Sequence, residues 1–284
     1  MIRNLLNKLK SLFVSNSFRQ DKEVDTVSWQ ANWTAYLNES VAFYRALSKS
    51  DKALFEKRVR LFLETTPVEA GQNEVTNEDR LLVAASAVIP VWGFPDWHYF
   101  NVQKVFLLPA SFNERFECGQ PDSLITGMVG TGPMSGKLAL SQPALHLGFS
   151  NTKDKQNVGI HEFVHLVDMA DGDCDGFPER LKKYAFSIPW FELVEVKVAG
   201  IESNSSNIRD YGATNKAEFL AVTSEYFFER PKMLQKKHPK LYQALSEFYQ
   251  QDVSRIADDI KPRKKAPCPC GSGKRYKHCC LPES

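Results

Sequence analysis

From Trp29 to Glu64 apolar residues recur every three or four positions, first in WTAYLNESVAFYRAL and then in KALFEKRVRLFLE, and this spacing predicts helices. A polar connector, TTPVEAGQNEVTNED, leads to RLLVAASAVIPVWGF, which reads as a buried helix ended by Pro90 and the Gly93–Pro95 turn. VQKVFLLP is the clearest strand pattern. The Gly-rich GMVGTGPMSG before KLALSQPALHLGF suggests a hairpin or loop feeding another strand. A helix is expected from about Asn157 to Ala170, stopped by Asp171-Gly172-Asp173. IPWFELVEVKVAG, KAEFLAVTSEYFFE and PKLYQALSEFYQQD continue the helical pattern, the second capped by Thr214 or Asn215 and closed by Pro231. Helices at both ends with a few strands between them predict an α+β fold, mostly helical with a small sheet.

The first residues, MIRNLLNKLKSLFVSNSF, are basic and amphipathic, with Ile2, Leu5, Leu6, Leu9 and Phe13 at helical spacing. They read as a surface helix, with contact to a membrane surface or a partner as the alternative. The apolar run is too short for a secretory signal and no stretch is long enough to span a bilayer. A cytoplasmic protein without an integral membrane segment is therefore expected. The 284 residues are 43% hydrophobic and 25% charged, which allows one large domain plus a small module. The expected divisions are an N-terminal amphipathic segment at 1–28, a main domain at 29–256, a charged, Pro-bounded linker at 257–266 and a cysteine module at 267–284.

The net charge of +2 conceals an asymmetry: residues 261–284 carry +6 and residues 1–260 carry −4. The body therefore offers no basic face of the kind that nucleic acid requires. Cysteine usage is equally uneven. Cys118 and Cys174 stand alone, whereas Cys268, Cys270, Cys279 and Cys280 fall within thirteen residues. In a reducing compartment such a cluster points to a metal. Four thiolates suit a closed tetrahedral zinc site, with Gly271 and Gly273 letting the chain turn around the ion.

HEFVH places His161 and His165 four residues apart, on one face of a helix, so both imidazoles can address one ion. Zinc matches the ligand type and leaves a position for water, whose proton Glu162 can take during attack on a peptide carbonyl. Catalytic zinc commonly takes three protein ligands, and Glu218 in KAEFLAVTSEYFFE is the preferred third. Asp168, Asp171 and Asp173 are alternatives, although their closeness to the same helix favours supporting or capping roles. Glu225, seven residues after Glu218, shares its face and reads either as an orienting group or as a solvated glutamate. Tyr211 precedes Glu218 by seven residues, and its phenol could stabilise a developing oxyanion. His98, His146 and His238 show no partner pattern and read as structural.

HEFVHLVDMADGDCDGFP, DYGATNKAEFLAVTSEYFFERP and FYQQD resemble the Mlc titration factor A family of zinc peptidases. RLLVAASAVIPVWGF and VQKVFLLPASF are similar to the same pattern, so the resemblance covers roughly residues 50–255. It implies a zincin-like fold of the gluzincin type, one catalytic zinc on His161, His165 and Glu218, Glu162 as base and Tyr211 beside the site. It also implies aminopeptidase-like activity on small peptides. The namesake's partner, the repressor Mlc, does not carry over by itself, because the N-terminus departs from the family and a tail is added. CPCGSGKRYKHCC resembles the SEC-C motif, best known at the C-terminus of the SecA translocation ATPase. That resemblance implies one structural zinc on Cys268, Cys270, Cys279 and Cys280. It also suggests a protein partner of the regulator, SecB-like chaperone or ribosome type. A purely stabilising appendage is the alternative. Nothing in the sequence sets the oligomeric state.

Overall fold

The computed structural model describes residues 29–71, 73–130, 132–151, 154–178, 189–254 and Arg275. The N-terminal segment, the linker and the cysteines of the tail lie outside the described residues. The helical periodicity after Trp29 becomes α1 (Ala31–Ser40), α2 (Ala42–Ala46) and α3 (Lys49–Thr65). Ser48 starts α3 by accepting from the Asp51 amide at 3.2 Å. Thr76 and Asp79 form a reciprocal capping box that opens α4 (Asn77–Val88), and this helix stops just before Pro90 as its sequence predicts.

The sheet contains β1 (Val68–Ala70), β2 (Val102–Leu108), β3 (Gly127–Val129) and β4 (Gly136–Ser141), in the order β1-β2-β4-β3. The first two pairings are parallel, and β3 runs antiparallel to β4. β2 lies inside the sheet, where Val102, Val105, Leu107 and Leu108 are buried. Two departures from the sequence pattern have local causes. β1 arises within the polar connector, where only Val68 of its three residues is buried, so its apolar signal is minimal. KLALSQPALHLGF supplies one strand only as far as Ser141; the remainder is α5 (Gln142–Ser150), capped by Ser141 with Pro143 in its first turn.

α6 (Val158–Asp168) has every residue from Gly159 to Asp168 buried, which explains its unbroken apolar character around HEFVH. Asn157 caps it, its side-chain oxygen accepting from the Ile160 amide at 3.1 Å. Opposite the histidines, Phe163 meets Phe62 and Tyr99 edge-on with ring centroids at 5.5 and 5.3 Å. α4 packs so closely that a Cβ on Gly159 would lie 2.1 Å from Ser86 Oγ, so only glycine permits this approach.

The C-terminal part comprises α7 (Pro189–Glu202), α8 (Lys216–Glu229), α9 (Pro231–Lys237) and α10 (Pro239–Tyr249). Asn215 caps α8, accepting from the Glu218 amide at 2.9 Å. Pro231 closes α8 as expected and also opens α9, which the sequence reading passed over. These elements form the predicted α+β architecture, mostly helical with a small mixed sheet.

α8 ends on Glu229, neither of whose buried carboxylate oxygens makes a hydrogen bond of normal length. Burial, together with the negative charges of Glu225 and Asp154, pushes this carboxyl up to about 9 from its usual 4.5. Between those two values the folded chain binds the proton and the unfolded chain does not, so stability falls as pH rises through the window. Glu229→Gln removes this dependence. In urea titrations the variant is expected to unfold at higher denaturant than the parent at about pH 8 and to vary less between about pH 5 and 8. Parallel pH profiles for the two proteins would contradict this account of Glu229.

Candidate metal centre

α6 and α8 lie side by side and each contributes donors to one point. His161 and His165 project from α6 so that their Nε2 atoms are 3.1 Å apart. Glu218, at the start of α8, brings Oε2 to 3.0 Å from His161 Nε2 and 3.5 Å from His165 Nε2. Ligand atoms of a tetrahedral zinc ion with bonds of 2.0–2.1 Å are separated by about 3.3 Å. The triangle therefore has the size of one face of such a site.

The charges agree with the distances. Burial alone would lower the pKa of His161, but hydrogen bonds to Glu218 and Glu225 and the charges of Glu225 and Glu162 raise it to about 10. The surroundings thus favour positive charge at this point. Burial alone would likewise raise Glu218, yet hydrogen bonds from His161 and His165, and their charge, hold it well below the usual carboxylate range. Two imidazole nitrogens and one ionised carboxylate are a donor set that fits zinc.

Glu225 organises the far side of His161. It is buried, and its Oε1 accepts from His161 Nδ1 at 2.8 Å. That bond fixes the tautomer that leaves Nε2 free to donate a lone pair. The same carboxylate accepts from the Asn157 amide at the start of α6 and pairs with Arg209. Of the two readings the sequence left open for Glu225, the orienting one matches this placement, and the solvated glutamate does not. Arg209 was not singled out from the sequence, because its partner lies sixteen residues away on another element.

Glu162 is buried next to the donor triangle, and burial raises its carboxyl against the opposing charges of His161 and His165. A Cβ on Gly127, at the start of β3, would lie 2.5 Å from Glu162 Oε1, so the strand crosses directly against this carboxylate. Tyr211 sits in the 3-10 turn Asp210–Ala213, half exposed, with its ring centroid 6.0 Å from that of His161. Partial burial of the hydroxyl and the negative charge of Glu218 push its phenol up to about 12, so it stays protonated as a donor.

The remaining candidates separate cleanly. Asp171 caps the turn after α6, accepting from the Asp173 amide at 3.1 Å, and both residues are exposed. Asp168 is fully buried beside His165, and the exposed Cys174, a cysteine the sequence left isolated, lies against both. His146 pairs with Asp79 at 2.6 Å and His238 with Asn207 at 2.7 Å, while His98 is exposed. None of these three reaches the triangle. Cys268, Cys270, Cys279 and Cys280 lie outside the described residues.

Over residues 15–250 the sequence matches the glucose-regulated metallo-peptidase M90 family. The chain belongs to this family. Residues 265–282 match the SEC-C motif. Among individual proteins similar to this M90 member, an uncharacterized protein of Synechocystis sp. is 29% identical over 77% of the chain and 83% of its own length. The Mlc titration factor A of Serratia proteamaculans is 32% identical over 44% of the chain and 53% of its own length. That of Salmonella arizonae is 36% identical over 34% of the chain and 41% of its own length. The match to the Mlc titration factor A proteins thus spans about half of them or less. Among the described residues, no helix is long and apolar enough to cross a membrane.

The part played by Glu225 can be measured. Glu225→Gln is expected to weaken zinc binding at the α6–α8 site by about 10–100-fold in chelator competition. The helical circular dichroism should be retained. Parental affinity in the folded variant would show that His161 needs no carboxylate behind it.

Proposed function

We propose that the chain is a zinc-dependent peptidase with His161, His165 and Glu218 as the metal ligands and Glu162 as the general base. The observation that carries this reading is the convergence of three donor atoms at 3.0–3.5 Å next to a buried glutamate. Zinc held there supplies a Lewis acid and lowers the pKa of a bound water towards neutrality. Glu162, its proton affinity raised by burial, takes a proton from the attacking water and returns it to the leaving amine. Tyr211, kept protonated beside Glu218, donates to the substrate oxygen that gains charge in the transition state. Arg209 and Glu225 touch no substrate in this scheme; they hold the His161 ring in position.

The edge strand supports a peptide as the substrate. The Ser141 amide bonds to the Thr126 carbonyl at 2.7 Å, which makes that pair a hydrogen-bonded one. By the alternation of antiparallel ladders, Gly127 and Val129, opposite Leu140 and Leu138, turn their N–H and C=O groups outward. An extended peptide added beside β3 would use these groups and pass in front of Glu162. The family resemblance favours short peptides and N-terminal residues, an aminopeptidase-like activity. The four tail cysteines fit a separate structural zinc, in a module at 267–284 joined by the linker at 257–266. A basic knob of this kind suits docking to an acidic protein such as a chaperone, or to the ribosome. Clustered thiolates with bound metal suit the reducing cytoplasm.

A second reading comes from the name of the relatives. Mlc titration factor A denotes titration of Mlc, and a chain of this family could sequester a regulator with hydrolysis incidental. One variant separates the two. Glu162→Gln is expected to retain zinc and lose peptide hydrolysis by a factor of about a hundred or more. Undiminished turnover would end the proposed mechanism, and full biological effect from the inactive variant would favour sequestration.

A further inference from the structure

The peptidase chemistry uses one nitrogen of His165. The other, Nδ1, faces Cys174, whose Sγ is 3.8 Å away. Asp168 follows His165 by three residues on α6, so the two side chains lie on neighbouring positions of one face. Together they form a second group of one nitrogen, one carboxylate oxygen and one sulfur, all within 4.8 Å of one another.

Asp168 gives this group its ligand character. It is fully buried; Oδ2 accepts from the Gly176 amide at 2.8 Å, and its side-chain partner is the Cys174 thiol, itself one of the three donors. A thiol is a weak donor for a buried carboxylate, and a cation held between the two would replace that proton. Cys174 is exposed, so an ion can arrive directly from solvent. Nitrogen, sulfur and carboxylate donors suit zinc and similar borderline ions, whereas calcium and magnesium prefer oxygen alone.

We propose that His165 Nδ1, Asp168 and Cys174 form a second cation site, for a divalent ion of the zinc class, which shares the His165 ring with the first. An ion there would take the place of the protons on the Cys174 thiol and on His165 Nδ1. Ions on the two nitrogens of one imidazole are on the order of 6 Å apart, given bonds of about 2 Å. Their repulsion makes the outer ion the weaker of the two, and it fills after the inner one. The site does not depend on the peptidase reading, and Glu162→Gln leaves it intact.

The test uses the full chain carrying only the zinc that survives dialysis, titrated with cobalt(II). Cobalt binds such donors less tightly than zinc and leaves the tight sites occupied. The parent is expected to develop a cobalt–thiolate charge-transfer band that saturates near one cobalt per chain. Cys174→Ser should abolish the band, and Asp168→Asn should weaken cobalt affinity about tenfold or more. Should dialysis leave zinc in the outer site, the parent instead holds one more zinc than Cys174→Ser. A parent with neither the band nor the extra zinc overturns the proposal, as does a band that persists in Cys174→Ser.

Discussion

α6 must be buried on every side while carrying two imidazoles and a carboxylate, and the arrangement of the surrounding elements follows from meeting that demand. Unpaired polar groups at such depth would be strongly destabilising. α8 answers with two glutamates seven residues apart on one face. Glu218 meets His161 Nε2 and Glu225 meets Nδ1, so one ring is held from both sides. Glu225 also accepts from the first amide before α6 and pairs with Arg209. The helix start, the histidine ring and the chain leading into the Tyr211 turn thereby share one carboxylate.

The other faces of α6 explain why its neighbours lie where they do. Phe163 anchors the helix against Phe62 and Tyr99, and Gly159 allows α4 to approach to contact. Gly127 brings the edge strand against Glu162 in the same manner. Glycine at these two points is needed for close approach rather than for an unusual backbone conformation. Scaffold and site are therefore one construction: the contacts that bury α6 also align Glu162, the three donors and the edge strand of the sheet.

Much of this was legible in the sequence because it is local. A four-residue histidine spacing, an asparagine before an apolar helix and a proline after one each state their geometry within a turn or two. Glu218 was singled out as the third donor expected of such a site, and the extended resemblance around AEFLAVTSEYFF pointed to the same residue. Three features were hidden by their dependence on distant partners. β1 has one buried residue and becomes a strand through its pairing with β2. Arg209 matters only through Glu225, and Cys174 only because the turn after α6 returns it to His165. α5 was a missed signal, since a serine followed by a proline in the first turn marks a helix start.

The central claim is that one zinc ion rests on α6 and α8 at the triangle of His161, His165 and Glu218. Anomalous diffraction at the zinc edge from crystals of the zinc-loaded full chain tests it directly. The account predicts a peak bonded at about 2.0–2.2 Å to His161 Nε2, His165 Nε2 and a Glu218 carboxylate oxygen, with Glu225 on the far nitrogen of His161. Zinc peaks confined to the cysteine tail, with none at this triangle, would contradict it.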